Sequence, residues 1–116
     1  MSQKSIGEFE EIVLLIVAIL NGEAYSVNII EEIEERLHRN ASLGAVQTVL
    51  KRLEAKGFLS SDFGAATKAR GGKRKRLYEI TPSGQQILEQ TRMQRNALWD
   101  AIPKLSFKSL LGNFAN

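Results

Sequence analysis

The run from Lys68 to Arg76, KARGGKRKR, holds six cations and no acid. Arg70, Lys73, Arg74, Lys75 and Arg76 cannot all pair internally. Near a nucleic acid each exposed cation releases counterions and adds affinity, though no sequence information. Gly71 and Gly72 let the segment follow a phosphate backbone or enter a minor groove, where arginine is favoured when the groove is narrow. Directly upstream lies SLGAVQTVLKRLEAKGFL, Ser42 to Leu59. There Val46, Val49, Leu50 and Leu53 recur at i, i+3, i+4 and i+7, the stripe of a helix with one side on a core. The opposite side carries Gly44, Thr48, Lys51 and Ala55, flanked by Ala45, Gln47 and Arg52. A helix fits the major groove and meets base edges with its N-terminal residues. Gly44 and Ala45 would permit close approach, and Gln47 can pair bidentately with adenine. Thr48 can meet a thymine methyl or a phosphate, and Lys51 or Arg52 can reach guanine or the backbone. Taken singly, the helix also reads as an ordinary amphipathic one and the cations as a solvated run.

Other chemistry has little to stand on. His38 is the only histidine and cysteine is absent, so no triad and no metal-ligand set suggests itself. The glutamates at 31, 32, 34 and 35 crowd one helix and look like a solvated stripe rather than a catalytic pair. The chain is therefore expected not to be an enzyme and to need no cofactor.

The net charge of +3 conceals an asymmetry: residues 1–40 sum to −5, residues 41–80 to +6 and residues 81–116 to +2. That distribution points to an oriented polyanion-binding surface. With 116 residues and 43% hydrophobic content, the chain makes one domain and at most one appended element. A chain this short gains from a partner subunit. The apolar run Ile12 to Leu20 is too short to span a bilayer, which needs about 20 residues. Acids Glu8, Glu10 and Glu11 lead into it, unlike a signal peptide. It is expected to be a helix buried on nearly all sides, in a soluble, cytoplasmic protein without a membrane partner.

The elements that must position these residues are legible in outline. Helix one is predicted from about Glu8 to Leu20, stopped by Asn21-Gly22. Helix two begins near Ser26 as N-cap, with Val27, Ile30, Ile33 and Leu37 on one face and the glutamates on the other. Asn40 to Ser42 break the chain, and Ser42 caps helix three, which Gly57 ends. Phe58 and Leu59 open a short strand that returns at Leu77 to Ile80, and Phe63 to Lys73 is expected to be a mobile tip. Thr81-Pro82 starts a last helix, with Ile87, Leu88, Thr91, Arg95, Leu98, Trp99 and Ile102 along one side and Pro103 closing it. The tail repeats apolar residues at Phe107, Leu110, Leu111 and Phe114. The fold expected is mainly α with a small β-hairpin: a winged helix-turn-helix in residues 1–81, a C-terminal dimerisation helix in 82–103, and a short apolar-patterned tail in 104–116. A basic hairpin following a helix-turn-helix is the combined signal for nucleic acid.

GEFEEIVLLIVAILNGEAYSVNIIEEIEERL, then SLGAVQTVLKRLEAKGFL, then RGGKRKRLYEITPSG resembles the PadR family of transcriptional regulators over about Ile6 to Trp99. The most specific pieces are AYS at Ala24 to Ser26, LGAVQTVLKRLEAKG at Leu43 to Gly57, and RGGKRKRLYEIT at Arg70 to Thr81. The resemblance implies a winged helix-turn-helix that dimerises through its C-terminal helix, usually as a repressor, of the short kind with a single such helix. It puts Ser42, Gly44, Gln47, Thr48, Lys51 and Arg52 on the recognition helix and Gly71 to Arg76 on the wing, and Tyr25 opens the supporting helix. The DNA-binding set expected is thus Tyr25, Ser42, Gly44, Ala45, Gln47, Thr48, Lys51, Arg52, Lys68, Arg70, Gly71, Gly72, Lys73, Arg74, Lys75 and Arg76. Many members carry tyrosine where this chain has Gln47, a departure that bears on base or phosphate contact and leaves the fold alone.

Two recognition helices read a pseudo-palindrome when held about 34 Å apart. The helix of Ile87, Leu88, Thr91, Arg95, Leu98, Trp99 and Ile102 is the device expected to hold them, packing partly on helix one of the other subunit. The partners expected are double-stranded DNA and a second copy. Some PadR-like proteins bind flat aromatic or hydrophobic compounds at the dimer centre, so Trp99 is a candidate effector contact, with plain interface packing as the other reading. Two alternatives stay open for the chain: a winged-helix protein-interaction module, and a low-specificity architectural DNA binder.

Overall fold

The computed structural model describes residues 5–64 and 74–104; Lys68, Arg70, Gly71, Gly72 and Lys73, expected to bind DNA, and the tail pattern Phe107 to Phe114 lie outside them. The element order is α1 (Glu8–Leu20), α2 (Ser26–Leu37), α3 (Leu43–Ala55), β1 (Leu59–Phe63), β2 (Arg76–Ile80) and α4 (Pro82–Asp100). Mainly helical with a two-stranded antiparallel hairpin, it has the expected winged helix-turn-helix form.

The helices end where local chemistry stops them. Asn21 adopts the left-handed conformation after α1 (φ 49°), and His38 does the same after α2 (φ 51°). The helix-turn-helix break thus begins at His38, two residues before the expected Asn40. At the end of α3, Gly57 takes a positive φ of 83°. Its N–H reaches Glu54 O (3.0 Å) and the Phe58 N–H reaches Leu53 O (2.9 Å), so orphan carbonyls of the last turn are satisfied. Ser42 caps α3 as expected, its Oγ accepting the Ala45 N–H at 3.1 Å. Thr81 caps α4 through Gly84 N–H and donates its own hydroxyl to Gly57 O. That second bond ties the start of α4 to the end of α3.

Val13, Leu14, Ile16 and Val17 of α1, Ile29 and Ile33 of α2, and Val46, Val49, Leu50 and Leu53 of α3 form one core with Phe58, Leu59, Tyr78 and Ile87. Three sequence expectations need correction here. Helix α1 is not enclosed all round, because Leu15 and Ile19 are exposed on one side. On α2 the buried pair is Ile29 and Ile33, with Ile30 partly covered, whereas Val27 and Leu37 stand exposed. Isoleucines at 29, 30 and 33 offer two nearby stripes, and the i, i+4 pair faces α1 and α3. Nor is Ser26 the N-cap of α2. Tyr25 holds that position, and its N–H donates to Asn28 Oδ1 (2.8 Å).

A carboxylate is also built into this core's edge. Glu10 is buried, and Lys56 Nζ sits 3.0 Å from its Oε2, while Gly7 N–H donates to Oε1 at 2.8 Å. Burial pushes the Glu10 carboxyl up, but the Gly7 N–H, the Lys56 ammonium and the nearby Arg52 outweigh it, leaving the carboxyl below its ordinary value. The pair fastens the first turn of α1 to the C-cap of α3.

Candidate nucleic-acid interface

With Val46, Val49, Leu50 and Leu53 buried, helical geometry turns Gly44, Ala45, Gln47, Thr48, Lys51 and Arg52 outward, and all six are exposed. Gly44 is informative. A Cβ built there meets nothing within 4 Å, so no described neighbour requires glycine. Glycine inside a helix costs up to about 1 kcal/mol relative to alanine. The N-terminal end of α3 therefore presents bare backbone to the outside without an internal packing reason.

Pairing within the hairpin runs Leu59 with Ile80, Ser61 with Tyr78 and Phe63 with Arg76. Strand alternation then separates two faces. Ser61, Phe63, Arg76 and Tyr78 share the face toward α3, and Ser60, Asp62, Leu77 and Glu79 share the other. The acids of the hairpin fall on the outer face. On the inner face Ser61 Oγ donates to Glu54 Oε2 at 2.7 Å and accepts from Arg76 Nη1 at 2.6 Å. The Arg76 guanidinium lies 4.4 Å from the centre of the Phe63 ring, and Lys75 Nζ lies 4.2 Å over Tyr25. Tyr78 is buried, and its hydroxyl is shifted upward, burial being the main cause, with Arg76 opposing and Glu54 adding to it.

These groups enclose a concavity of about 390 Å³ lined by Tyr25, Gln47, Lys51, Phe63 and the cations Arg74, Lys75 and Arg76. Among the described residues no carboxylate lines it. The structure thus brings together the expected Tyr25, Gln47, Lys51, Arg74, Lys75 and Arg76, drawn from α2, α3 and the wing. Ser42, Gly44, Ala45, Thr48 and Arg52, on α3 or at its cap, are exposed outside that concavity. The acidic stripe of α2 is led off elsewhere, with Glu32 paired to Arg36 at 2.8 Å. Sequence reading missed Ser61 and Phe63. Their signal was available in the two-residue alternation of β1, but only once its partner strand and register were known.

The last helix divides the seam expected of it. Ile87 is buried in the chain's own core and Leu88 packs against that core. Thr91 donates its hydroxyl to Ile87 O (2.8 Å), and Arg95 pairs with Glu11 of α1 at 2.8 Å. Beyond them Leu98 and Trp99 stand 72% and 62% exposed, with Ile102 at 38%. A groove of about 480 Å³ between α1 and α4 is lined by Leu15, Leu88 and Trp99, with Glu11, Arg92 and Arg95 around them. Among the described residues no cluster of acids or histidine could hold a metal ion, and no helix is long and apolar enough to cross a membrane.

The model of the transcriptional regulator PadR-like family matches residues 14–90. Among solved structures, a PadR-like transcription factor from Bacteroides fragilis superposes with a TM-score of 0.68 at 23% identity, covering 81% of this chain and 85% of that one. A PadR-like transcriptional regulator from Bacillus cereus gives 0.65 at 18% identity, covering 89% and 90%. A PadR family transcription regulator from Clostridium difficile gives 0.60 at 24% identity, covering 90% and 98%. At these identities the likeness speaks to the fold. No curated protein sequence matches the chain.

Proposed function

The chain belongs to the PadR-like family of transcriptional regulators, and from that premise we propose that this DNA-binding regulator works as a homodimeric repressor. Residues 1–81 read DNA, and the helix of residues 82–103 joins two copies so that both α3 helices meet a pseudo-palindromic operator. The observation that carries this reading is one continuous surface, small at the exposed start of α3 and basic along it into the acid-free concavity under the wing. Gly44 and Ala45 let the α3 backbone descend into the major groove, where Gln47 and Thr48 read base edges and Lys51 and Arg52 meet base or phosphate. Tyr25, Ser42 and the cations Lys68, Arg70, Lys73, Arg74, Lys75 and Arg76 grip phosphates, with Gly71 and Gly72 in the same segment.

Dimerisation through α4 is supported by the exposed Leu98, Trp99 and Ile102, three large apolar groups on one helix end, with Leu15 and Ile19 exposed on α1. The buried Ile87 and the Glu11-bound Arg95 then act indirectly, by fixing how α4 leaves the domain. An apolar or aromatic effector lodged between Leu15, Leu88 and Trp99 would release DNA by changing that exit angle. Such a regulator acts in the cytoplasm, on the chromosome, as a binder rather than an enzyme.

The test is sedimentation of the full chain with a 30-base-pair duplex, a length of roughly three turns, combined with a salt titration. Two chains per duplex and a steep loss of affinity with salt are expected, and replacing Arg74 and Lys75 with Ala should flatten the slope by about 0.9 per lost contact. One chain per duplex, or salt-insensitive binding, would contradict the proposal.

A further inference from the structure

Of the wing cations described, Arg76 is held from two directions. The ring of Phe63, its cross-strand partner, lies under the guanidinium at 4.4 Å. Ser61 Oγ accepts from Nη1 at 2.6 Å while donating to Glu54 Oε2 at 2.7 Å. Lys75 has its ring contact on Tyr25 of another element, and Arg74 lies 6.0 Å from Phe63, at the outer reach of a cation–π contact. Glu54 belongs to the last turn of α3. A chain of charge-assisted contacts therefore runs from the recognition helix through one hydroxyl to the wing. It also accounts for Phe63, a phenylalanine 51% exposed near the end of a strand, whose ring serves as a platform.

We infer that Ser61 and Phe63 are positioning residues that fix the Arg76 guanidinium, and with it the wing stem, relative to α3 when DNA is bound. The inference rests on the reading of α3 and the wing as the DNA-binding surface. Arginine has five N–H donors. One engages Ser61, and the others stay available to a phosphate in a fork whose orientation is set before DNA arrives. Freezing that side chain in advance removes an ordering cost from association. Neither Ser61 nor Phe63 needs to touch DNA, and neither carries charge, so the two contributions separate in a salt titration.

The experiment measures duplex affinity of the full chain across a salt series for wild type, Ser61→Ala, Phe63→Leu, Arg76→Ala and the Ser61→Ala/Arg76→Ala double variant. Ser61→Ala and Phe63→Leu should each weaken binding about two- to fivefold, the scale of one exposed cation–π or hydrogen-bonded contact, with the log–log salt slope kept. Arg76→Ala should weaken binding and reduce the slope by about 0.9. Adding Ser61→Ala to Arg76→Ala should cost nothing more, because the two act as one unit. Phe63→Tyr and Ser61→Thr, which keep ring and hydroxyl, should bind like the wild type. Wild-type affinity in Ser61→Ala and Phe63→Leu beside a weakened Arg76→Ala would overturn the inference, as would an Arg76→Ala variant with unchanged affinity and slope. A wild-type chain that binds no duplex would remove the DNA-binding premise itself, a result distinct from either.

Discussion

Gly84, in the first turn of α4, is where two simple rules give opposite signs. Helix propensity alone says that Gly84→Ala should stabilise the chain by about 1 kcal/mol. The surroundings say otherwise. A Cβ at Gly84 falls 2.2 Å from Phe58 O and 2.8 Å from Ile80 Cγ1. Ordinary contact between such a carbon and a carbonyl oxygen is about 3.3 Å, so α4 would have to withdraw by roughly 1 Å. Phe58 O is backbone, and it already accepts the Thr81 N–H at 3.1 Å. The Thr81 hydroxyl is bonded to Gly57 O at 2.6 Å, so it resists the same displacement. Overpacking of this kind costs about 1–3 kcal/mol, and straining these bonds adds about 1 kcal/mol. Together they exceed the propensity gain, leaving a net loss of about 2 kcal/mol and a Tm lower by roughly 10 °C for a domain of this size. Thermal and urea unfolding followed by helical circular dichroism would measure it. A Gly84→Ala variant as stable as the wild type, or more so, would refute the reasoning about close approach.

Gly44 is the opposite case. Gly44→Leu should leave unfolding unchanged or slightly raise the midpoint, since its surroundings are open, while duplex binding falls at least tenfold by anisotropy; retained affinity would detach the start of α3 from DNA. Gln47→Ala should relax preference at one base position by about 1–3 kcal/mol, read by comparing bound sequences selected with each protein, and unchanged selectivity would remove the amide from base reading. Glu10 gives a pH signature. Because its folded carboxyl lies below the ordinary value of 4.5, its contribution is full above that value and is lost as pH falls through the lowered one. Glu10→Gln should therefore cost about 1–2 kcal/mol at neutral pH, with the gap to wild type closing in urea titrations below pH 4.5. A gap constant from pH 7 to pH 3 would sink the assignment.

What the sequence disclosed depended on how local the determinants were. The range of α1, the Ser42 and Thr81 caps and the buried stripe of α3 are set by residues within one or two turns, and periodicity and cap chemistry found them. Helix α2 was harder because Ile29, Ile30 and Ile33 supply competing stripes, and only the packing of α1 and α3 selects Ile29 with Ile33. The cations of the wing stem announced themselves by composition. Ser61 and Phe63 did not, since a serine and a phenylalanine acquire their role from the register that places Arg76 opposite Phe63. On α4 the apolar spacing by itself could not show that Ile87 turns into the chain's own core while Leu98 and Trp99 stay outside. That division depends on where α4 leaves the body of the domain.

The most direct measurement is selection of bound duplexes from a random library by the full chain near physiological salt, followed by sequencing. Enrichment of an inverted repeat whose half-site centres lie about one helical turn apart is the predicted result. Binding without enrichment of any repeat, or enrichment of a single unpaired half-site, would contradict a dimer that reads its operator with two α3 helices.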